Sequence, residues 1–520
     1  MIERLLKSGY SYLLILVFYL IGLWLMSVPM TGDQKVYISV ALEMRERGEW
    51  IIPYLFNEAN FLKPPFQYWA TLVGWNIFGL SLFGALIPSV IALLVSANFT
   101  NRISAILTGQ NSYLPGLLFA SSLGSMTYGT TGQMEIWIVC FYLWAWYEFM
   151  RQNWIRAFVV VGIMAWIKGP LYPVLWVLSS WLYLGFQHEE RRVLSKRYLV
   201  GLFVGVSVGL LWYALAARTH LQPMLDVFLL RENMAKTQTS QGTPQGLWGE
   251  FIYTLFPWVF WLILTLSSRD GRQSIKKYRY FYLSYALIPA LFFTFFPYRV
   301  NTYLYLLTPI AAMMCGGFSK IERNTVTRLI SALVMLIAIA FSVFNFRLLG
   351  GGWIGFEVAG PLFLILALWA YFYFQLNLSK LALVSLMMVN LIRMGAVELG
   401  EKDLQGLRAF HEADHAPLAY LIEYKDIWHE YGLVSSALKT DIQRLYNSSE
   451  YENFLNHGGA VILQEGQMAE HLNDLNCIAW PRLRKRIKFP FKKLIQSGLN
   501  FGDPELMRSY QICKKLDSHA

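Results

Sequence analysis

The sequence is poor in charge. Asp, Glu, Lys and Arg make up only 15% of its 520 residues, against about 25% in ordinary soluble chains. That leaves too little polar surface to cover a chain of this length in water. With 56% of its residues hydrophobic, most of it belongs in a bilayer. Cysteine is scarce as well. The 4 present rule out a disulfide scaffold and any multi-cysteine zinc module. No Gly-rich P-loop is found, which speaks against a primary ATP-driven pump, and there is neither an internal repeat nor a low-complexity run. What the chain has in quantity is aromatic residues, with 35 Phe, 30 Tyr and 19 Trp. Its net charge of +11 would suggest nucleic acid in a soluble protein. Here the enrichment of Lys and Arg in cytoplasmic loops accounts for it, and no nucleic-acid partner is expected.

The fold class that follows is a polytopic α-helical membrane protein. The first apolar stretch runs from Tyr10 to about Met30 behind a basic head with Arg4 and Lys7. No small-residue cleavage site follows it, so it reads as an uncleaved first helix with a cytoplasmic N-terminus. Further candidate spans cover roughly 82–98, 112–128, 133–150, 156–168, 170–186, 198–216 and 250–267, then 279–296, 301–317, 326–346, 353–374 and 378–396. The total is about thirteen helices of membrane-crossing length. Loop charge supports this register. Arg151 and Arg156, Arg191, Arg192, Lys196 and Arg197, Arg269, Arg272, Lys276 and Lys277, Lys320 and Arg323, and Lys380 all fall in loops that an inside N-terminus makes cytoplasmic.

Residues 1–396 thus form a transmembrane domain with outward loops at about 31–81 and 217–249, and residues 397–520 form an outer tail long enough for one small domain. The first loop has helical apolar spacing at Tyr37, Val40 and Met44, then a Pro-rich turn; the second holds "RENMAKTQTSQGTPQG". In the tail, "LVSSALKTDIQRLY" reads as a strand into a helix and "GGAVILQEG" as a buried strand, giving a small α/β domain. Cys477 and Cys513 lie there, outside the cytosol. Their pairing as a disulfide and their persistence as two thiols are both open.

Ionisable residues in or beside apolar spans are costly unless they serve a purpose. Asp33 in "PMTGDQKVY", Lys63 in "NFLKPPFQYW", Glu135 in "TTGQMEIW", Lys168 in "WIKGPLYP" and Arg299 in "FFPYRVNTYLY" all map near the outer leaflet. Each has an ordinary alternative. Asp33 and Glu135 could serve a helix end, Lys168 and Arg299 could snorkel to headgroups, and Lys63 could be a loop cation. Together, two acids and three bases on one side suit a phosphate leaving group held by cations, with a carboxylate beside the attacking atom.

The run "GDQKVYISVALEMRERGEWIIPYLFNEANFLKPPFQYWATLVGWNIFG" resembles the first outer loop of GT-C glycosyltransferases, in particular the lipid A aminoarabinose transferases, which share the wider fold with protein O-mannosyltransferases. Those show an acidic pair and a Tyr, then "G-x-W-x-x-P", then "F-E-K-P". "KGP" and "PYRVNTYLYLLTP" are similar to two later family motifs. The likeness covers about residues 1–320. It implies an inverting transfer of a sugar from a polyprenyl-phosphate carrier to a lipid A-like acceptor at the periplasmic face of the inner membrane, by a monomer. Carried over by position, Asp33 is the acid at the reacting centre and Glu135 a second acid. Lys63 holds the carrier phosphate with Lys168, Lys236 and Arg299, and Gln34, Tyr37 and Tyr303 line the substrate site. The chain departs from the family at three positions. Gln34 replaces one acid of the pair, which leaves Asp33 a better candidate base. Leu62 and Asn233 replace residues that can form a metal site in relatives, so no metal or other cofactor is expected.

Two weaker signals complete the reading. "HEADH" places His411 and His415 one turn apart without a third ligand, as in a solvated linker helix. "RLRKRIKFPFKK", Arg482 to Lys493, could lean on anionic headgroups or an acidic glycolipid, or be a solvated strand face. Alternatives to a lipid glycosyltransferase are a protein O-glycosyltransferase, a transporter or flippase for a lipid-linked sugar, and a non-catalytic glycan- or lipid-binding protein. Transporters show repeats and interrupted helices, and the sequence suggests neither.

Overall fold

The computed structural model describes residues 10–24, 32–55, 58–238, 240–316, 382, 384–386, 418–421, 443–445, 453–464, 475–483 and 507–515. The chain divides into two compact units, one of Met1–Leu23, Val40–Ile337 and Ile365–Asn390, the other of Trp24–Ser39, Ala338–Leu364 and Leu391–Ala520. In the first unit the described residues are almost wholly helical. Helix α1 spans Tyr10–Trp24 and α2 Gly32–Arg47, its residues from Val40 onward belonging to this unit. A two-stranded ribbon, β1 (Tyr54–Leu55) and β2 (Glu58–Ala59), precedes α3 (Phe66–Phe78) and α4 (Leu82–Thr108). After them come α5 (Leu114–Ala120), α6 (Leu123–Thr130), α7 (Met134–Met150), α8 (Trp154–Lys168), α9 (Leu171–Phe186) and α10 (Lys196–Met224). A π-helical turn leads to α11 (Ala235–Gln238), then α12 (Pro244–Leu255), α13 (Trp258–Ser267), α14 (Arg269–Lys277), α15 (Arg279–Phe295) and, after a 3-10 turn at Asn301–Leu307, α16 (Thr308–Gly316).

These helices start and stop where the sequence supplies caps. The Ser81 hydroxyl accepts from the Gly84 amide at the head of α4, and Gly109, at φ 72°, closes it in the left-handed conformation that glycine adopts without strain. Ser195, Thr243 and Ser268 cap α10, α12 and α14 in the same way. Helices α8 and α10 pack closely. A Cβ on Gly162 would collide with the Gly205 carbonyl oxygen, and one on Gly205 would lie 2.5 Å from that of Phe158. The two backbones therefore meet directly, as small residues allow in membranes. That approach lets the Tyr213 hydroxyl donate to the Ala165 carbonyl at 2.8 Å and the Trp166 indole to that of Gly209 at 3.2 Å.

Several expected spans take a different form. The stretch 112–128 is two short helices broken at Ser121 and Ser122, whose hydroxyls donate to the carbonyls of Leu117 and Phe119. The stretch 250–267 is a bent pair, α12 and α13, turning by 99° at Phe256–Pro257, where Pro supplies no amide to continue the helix. An interrupted span is thus present, although none was expected. The division at Gly169–Pro170 stands as read. Helix α3 lies inside the segment read as an outer loop. Among the described residues, two helices are long and apolar enough to cross a membrane by length and composition, or three if the bent pair counts as one. The candidate spans at 326–346, 353–374 and 378–396 lie outside the described residues, apart from Ala382 and 384–386.

In the second unit the described strands are β3 (Leu418–Leu421), β4 (Gln443–Leu445), β5 (Ala460–Gln464), β6 (Leu475–Leu483) and β7 (Met507–Lys515). They form one sheet of order β4-β3-β5-β7-β6. The first three are parallel and the last two pair antiparallel. The buried strand read in "GGAVILQEG" is β5, with Ala460 and Val461 fully buried. Where "LVSSALKTDIQRLY" was read as turning helical, Gln443–Leu445 is a strand instead, held by parallel pairing to β3. The "HEADH" segment lies outside the described residues, as do the residues of the basic run beyond Leu483.

Candidate active site

The site is built on the hairpin of α7 and α8. A tight turn at Arg151–Asn153 makes the two helices antiparallel, so the start of α7 lies beside the end of α8. Gly132, at φ 63°, turns the chain into α7, and Glu135 follows in its first turn, where the amide dipoles favour a carboxylate. Lys168 is the last residue of α8, where the carbonyl ends favour a cation. Gly169, at φ 89°, then swings the chain away. The Lys168 ammonium donates to Glu135 Oε1 at 2.6 Å, with side chains only 13% and 9% exposed. Thr302, on the 3-10 turn, donates its hydroxyl to the same oxygen at 2.6 Å. The Tyr303 ring lies 5.3 Å from the Lys168 nitrogen in a cation–π arrangement. An ammonium has three donors, and this ion pair takes one of them.

The other candidates are distributed as follows. Lys63 follows a loop clamped onto α10. The Trp212 indole donates to the Ile51 carbonyl at 2.8 Å, the Trp69 indole to that of Trp50 at 2.5 Å, and Ile52 and Phe61 pack with Trp212, Ala216 and Met224. The Lys63 ammonium donates to its neighbour's carbonyl, that of Leu62, at 3.1 Å. Arg299 is engaged with the end of α15, donating to the Thr294 carbonyl at 2.9 Å and the Pro297 carbonyl at 3.4 Å. Helix C-termini attract cations in this way, and the bonds on Glu135 go to Lys168 and Thr302. Lys236 lies on α11, and its side chain is outside the described residues, as is that of Asn233. Asp33 is exposed in the first turn of α2, with Gln34 and Tyr37 buried beside it; all three belong to the second unit. Among the described residues no three His, Cys, Asp or Glu side chains converge to hold a metal ion.

Sequence reasoning missed three parts of this region. Thr302 carries no charge and gives no signal. The Tyr128 hydroxyl donates to Glu250 at 3.0 Å, and the Tyr128 ring packs 4.6 Å from that of Tyr305, whose hydroxyl bonds Ser125 at 3.1 Å. Glu250 opens the expected span 250–267 and is as anomalous there as Glu135, so the same rule would have found it. Gly124 lets this layer close, since a Cβ there would lie 2.5 Å from that of Thr254.

No family model matches the chain. In sequence it is 24% identical over 384 residues to the undecaprenyl phosphate-alpha-4-amino-4-deoxy-L-arabinose arabinosyl transferase of Yersinia enterocolitica, covering 69% of this chain and 68% of that one. It is 25% identical over 366 residues to a second such transferase from Pseudomonas fluorescens, covering 64% of this chain and 59% of the relative. In structure it resembles ArnT from Cupriavidus metallidurans in the apo state, with a TM-score of 0.68 at 13% identity over 97% of this chain and 98% of that one. The same protein bound to undecaprenyl phosphate matches with a TM-score of 0.65 at 12% identity, covering 97% and 98%. The resemblance read from the motifs is therefore borne out: this chain has the fold of ArnT, a GT-C membrane fold, and is similar in sequence to the aminoarabinose transferases.

Proposed function

We propose that the chain is a polyprenyl-phosphate-sugar-dependent glycosyltransferase of the inner membrane, modifying a lipid A-like acceptor at the periplasmic face. The observation that carries this reading is the sequence similarity to undecaprenyl-phosphate-dependent transferases over about two thirds of the chain. The buried Lys168–Glu135 pair gives it a structural counterpart, because Lys168 belongs to the "KGP" motif on which the resemblance partly rests. In this mechanism an acceptor oxygen attacks the anomeric carbon while the bond to the carrier phosphate breaks, inverting the centre. The electron pair of that bond leaves with polyprenyl phosphate. Asp33 takes the acceptor's proton or orients it. Lys63 and Lys236 hold the departing anion, and Lys168 offers it the donors that Glu135 leaves open. Glu135 and Thr302 position Lys168. Arg299, bonded to the end of α15 through two of its five donors, offers the others to the same phosphate.

The test is turnover of an undecaprenyl-phosphate-linked aminopentose by purified protein with a lipid A acceptor, read as release of undecaprenyl phosphate. Asp33→Asn is expected to abolish release while inserting into the membrane as wild type does; wild-type turnover by that variant would rule Asp33 out as the reacting carboxylate. The bent pair α12–α13 favours one other reading, because interrupted helices are a transporter feature. A flippase would move the lipid-linked sugar between leaflets without releasing free polyprenyl phosphate, so the same assay separates the two.

A further inference from the structure

We propose that Cys477 and Cys513 form a disulfide that staples the last two strands of the tail sheet. Strands β6 and β7 pair antiparallel, and their register sets Cys477 directly opposite Cys513. Residues directly opposite in an antiparallel pair have Cα atoms about 4.5 or 5.5 Å apart. Both values fall within the range of about 4.4–6.8 Å that a disulfide spans. A pair in this register therefore stands at a separation that permits the bond. The register is also specific to these residues: Ile478 faces Ile512 and Asn476 faces Lys514, so each cysteine has the other as its cross-strand partner. The remaining cysteines, Cys140 and Cys315, are free and buried in the helical unit.

The proposal rests on the reading that the tail lies on the periplasmic side, where disulfides form and persist. The step is an exchange with an oxidant that carries a reactive disulfide, a thiol–disulfide oxidase. One thiolate attacks the oxidant's disulfide to give a mixed disulfide. The second thiolate then attacks the mixed bond and releases the oxidant as a dithiol. The two cysteines lose two protons and two electrons, and the oxidant gains both. The bond closes a loop running from Cys477 to Cys513 that contains the most basic stretch of the tail, Arg482 to Lys493. It would present that stretch from a covalently closed loop anchored on two strands.

The experiment uses the full chain in native membranes. Thiols are trapped by acid quenching and alkylation, and the digest is analysed by mass spectrometry with and without reductant. A parallel chain carries alkaline phosphatase after Ala520, an enzyme active only outside the cytosol. The expected result is an active fusion and one cross-linked peptide pair joining Cys477 to Cys513, lighter by two hydrogens and separated by dithiothreitol. Cys477→Ser should leave Cys513 open to alkylation. In the double variant Cys477→Ser/Cys513→Ser the tail should be cleaved by protease roughly tenfold faster, because cleavage follows the population of the opened form. An active fusion with both thiols alkylated in wild type would overturn the disulfide and leave the topology standing. An inactive fusion with both thiols alkylated would overturn the topology and the disulfide with it.

Discussion

At the scale of single residues, the Glu135–Lys168 pair should be easier to lose whole than by halves. Removing one member leaves a buried charge uncompensated, which costs about 3–5 kcal/mol, whereas replacing both with neutral groups is often close to neutral. Lys168→Met and Glu135→Gln should therefore each lower the temperature at which detergent-solubilised protein aggregates, and the double variant should recover most of that loss without recovering transfer. If the double variant is as unstable as either single one, the pair is not the stabilising unit. Thr302→Val tests the third member, since an abandoned acceptor costs about 1–3 kcal/mol. Its effect should shrink in the Glu135→Gln background, where the hydroxyl still meets an amide oxygen but the charge that strengthens the bond is gone. Both charged residues of this cluster were legible in the sequence, because a charge inside an apolar run cannot be overlooked. Their pairing was not legible. They stand 33 positions apart, and it is the antiparallel hairpin of α7 and α8 that brings them together. Thr302 was invisible for a different reason: a hydroxyl is tolerated almost anywhere in a helix, so it becomes informative only once its partner is seen.

At the scale of elements, what holds Lys168 in place is the backbone contact of α8 with α10. Gly205→Leu would drive a side chain into the Phe158 carbonyl, and Gly162→Leu would do the same toward Gly205. Either should separate the helices, break the Tyr213 and Trp166 bonds to the facing carbonyls, and sharply reduce the monodisperse fraction on size-exclusion chromatography. Gly249→Ala provides the control, because nothing lies within 4 Å of a Cβ there. It should be neutral or slightly stabilising, as alanine replaces glycine inside a helix. Equal losses from all three would show that the α8–α10 contact has no special role. Helix positions followed readily from apolar run length, and α7 and α15 lie within a residue or so of their expected spans. The breaks within runs were harder to see. Gly169–Pro170 announces itself by residue type, and the sequence reading divides the chain there. The bend at Phe256–Pro257 has a Pro too, but it sits inside one uninterrupted apolar stretch, where hydropathy alone continues the helix. The Ser121–Ser122 break depends on two small hydroxyls returning to their own helix carbonyls, which carries no composition signal.

At the scale of the whole molecule, the expected orientation in the bilayer can be tested on one helix. Helix α10 is regular from Lys196 to Thr219, before His220 at φ -135° breaks the helical geometry, and so spans about 36 Å at its regular rise, more than the hydrocarbon thickness. Its N-terminal end carries Lys196 and Arg197, directly after the 3-10 turn that holds Arg191 and Arg192. Toward its other end, Trp212, Ala216 and Met224 receive the loop around Ile51, Ile52 and Phe61. The positive-inside bias predicts that the basic end lies in the cytosol, which would set the clamped loop that leads to Lys63 on the opposite face. Single cysteines introduced at Trp50 and at Leu194, both exposed, test this directly in a background with the native cysteines replaced. In intact spheroplasts a membrane-impermeant maleimide should label the Trp50 position at once, and the Leu194 position only after the membrane is opened. Labelling of both from the same side would mean that α10 does not cross the bilayer, and would place Lys63 and the basic loop in one compartment. Reversed labelling would keep the crossing but turn the site toward the cytosol, where a periplasmic acceptor could not meet it. The labelling order therefore decides between a transferase working on the outer leaflet and one that would need its substrates on the inner one.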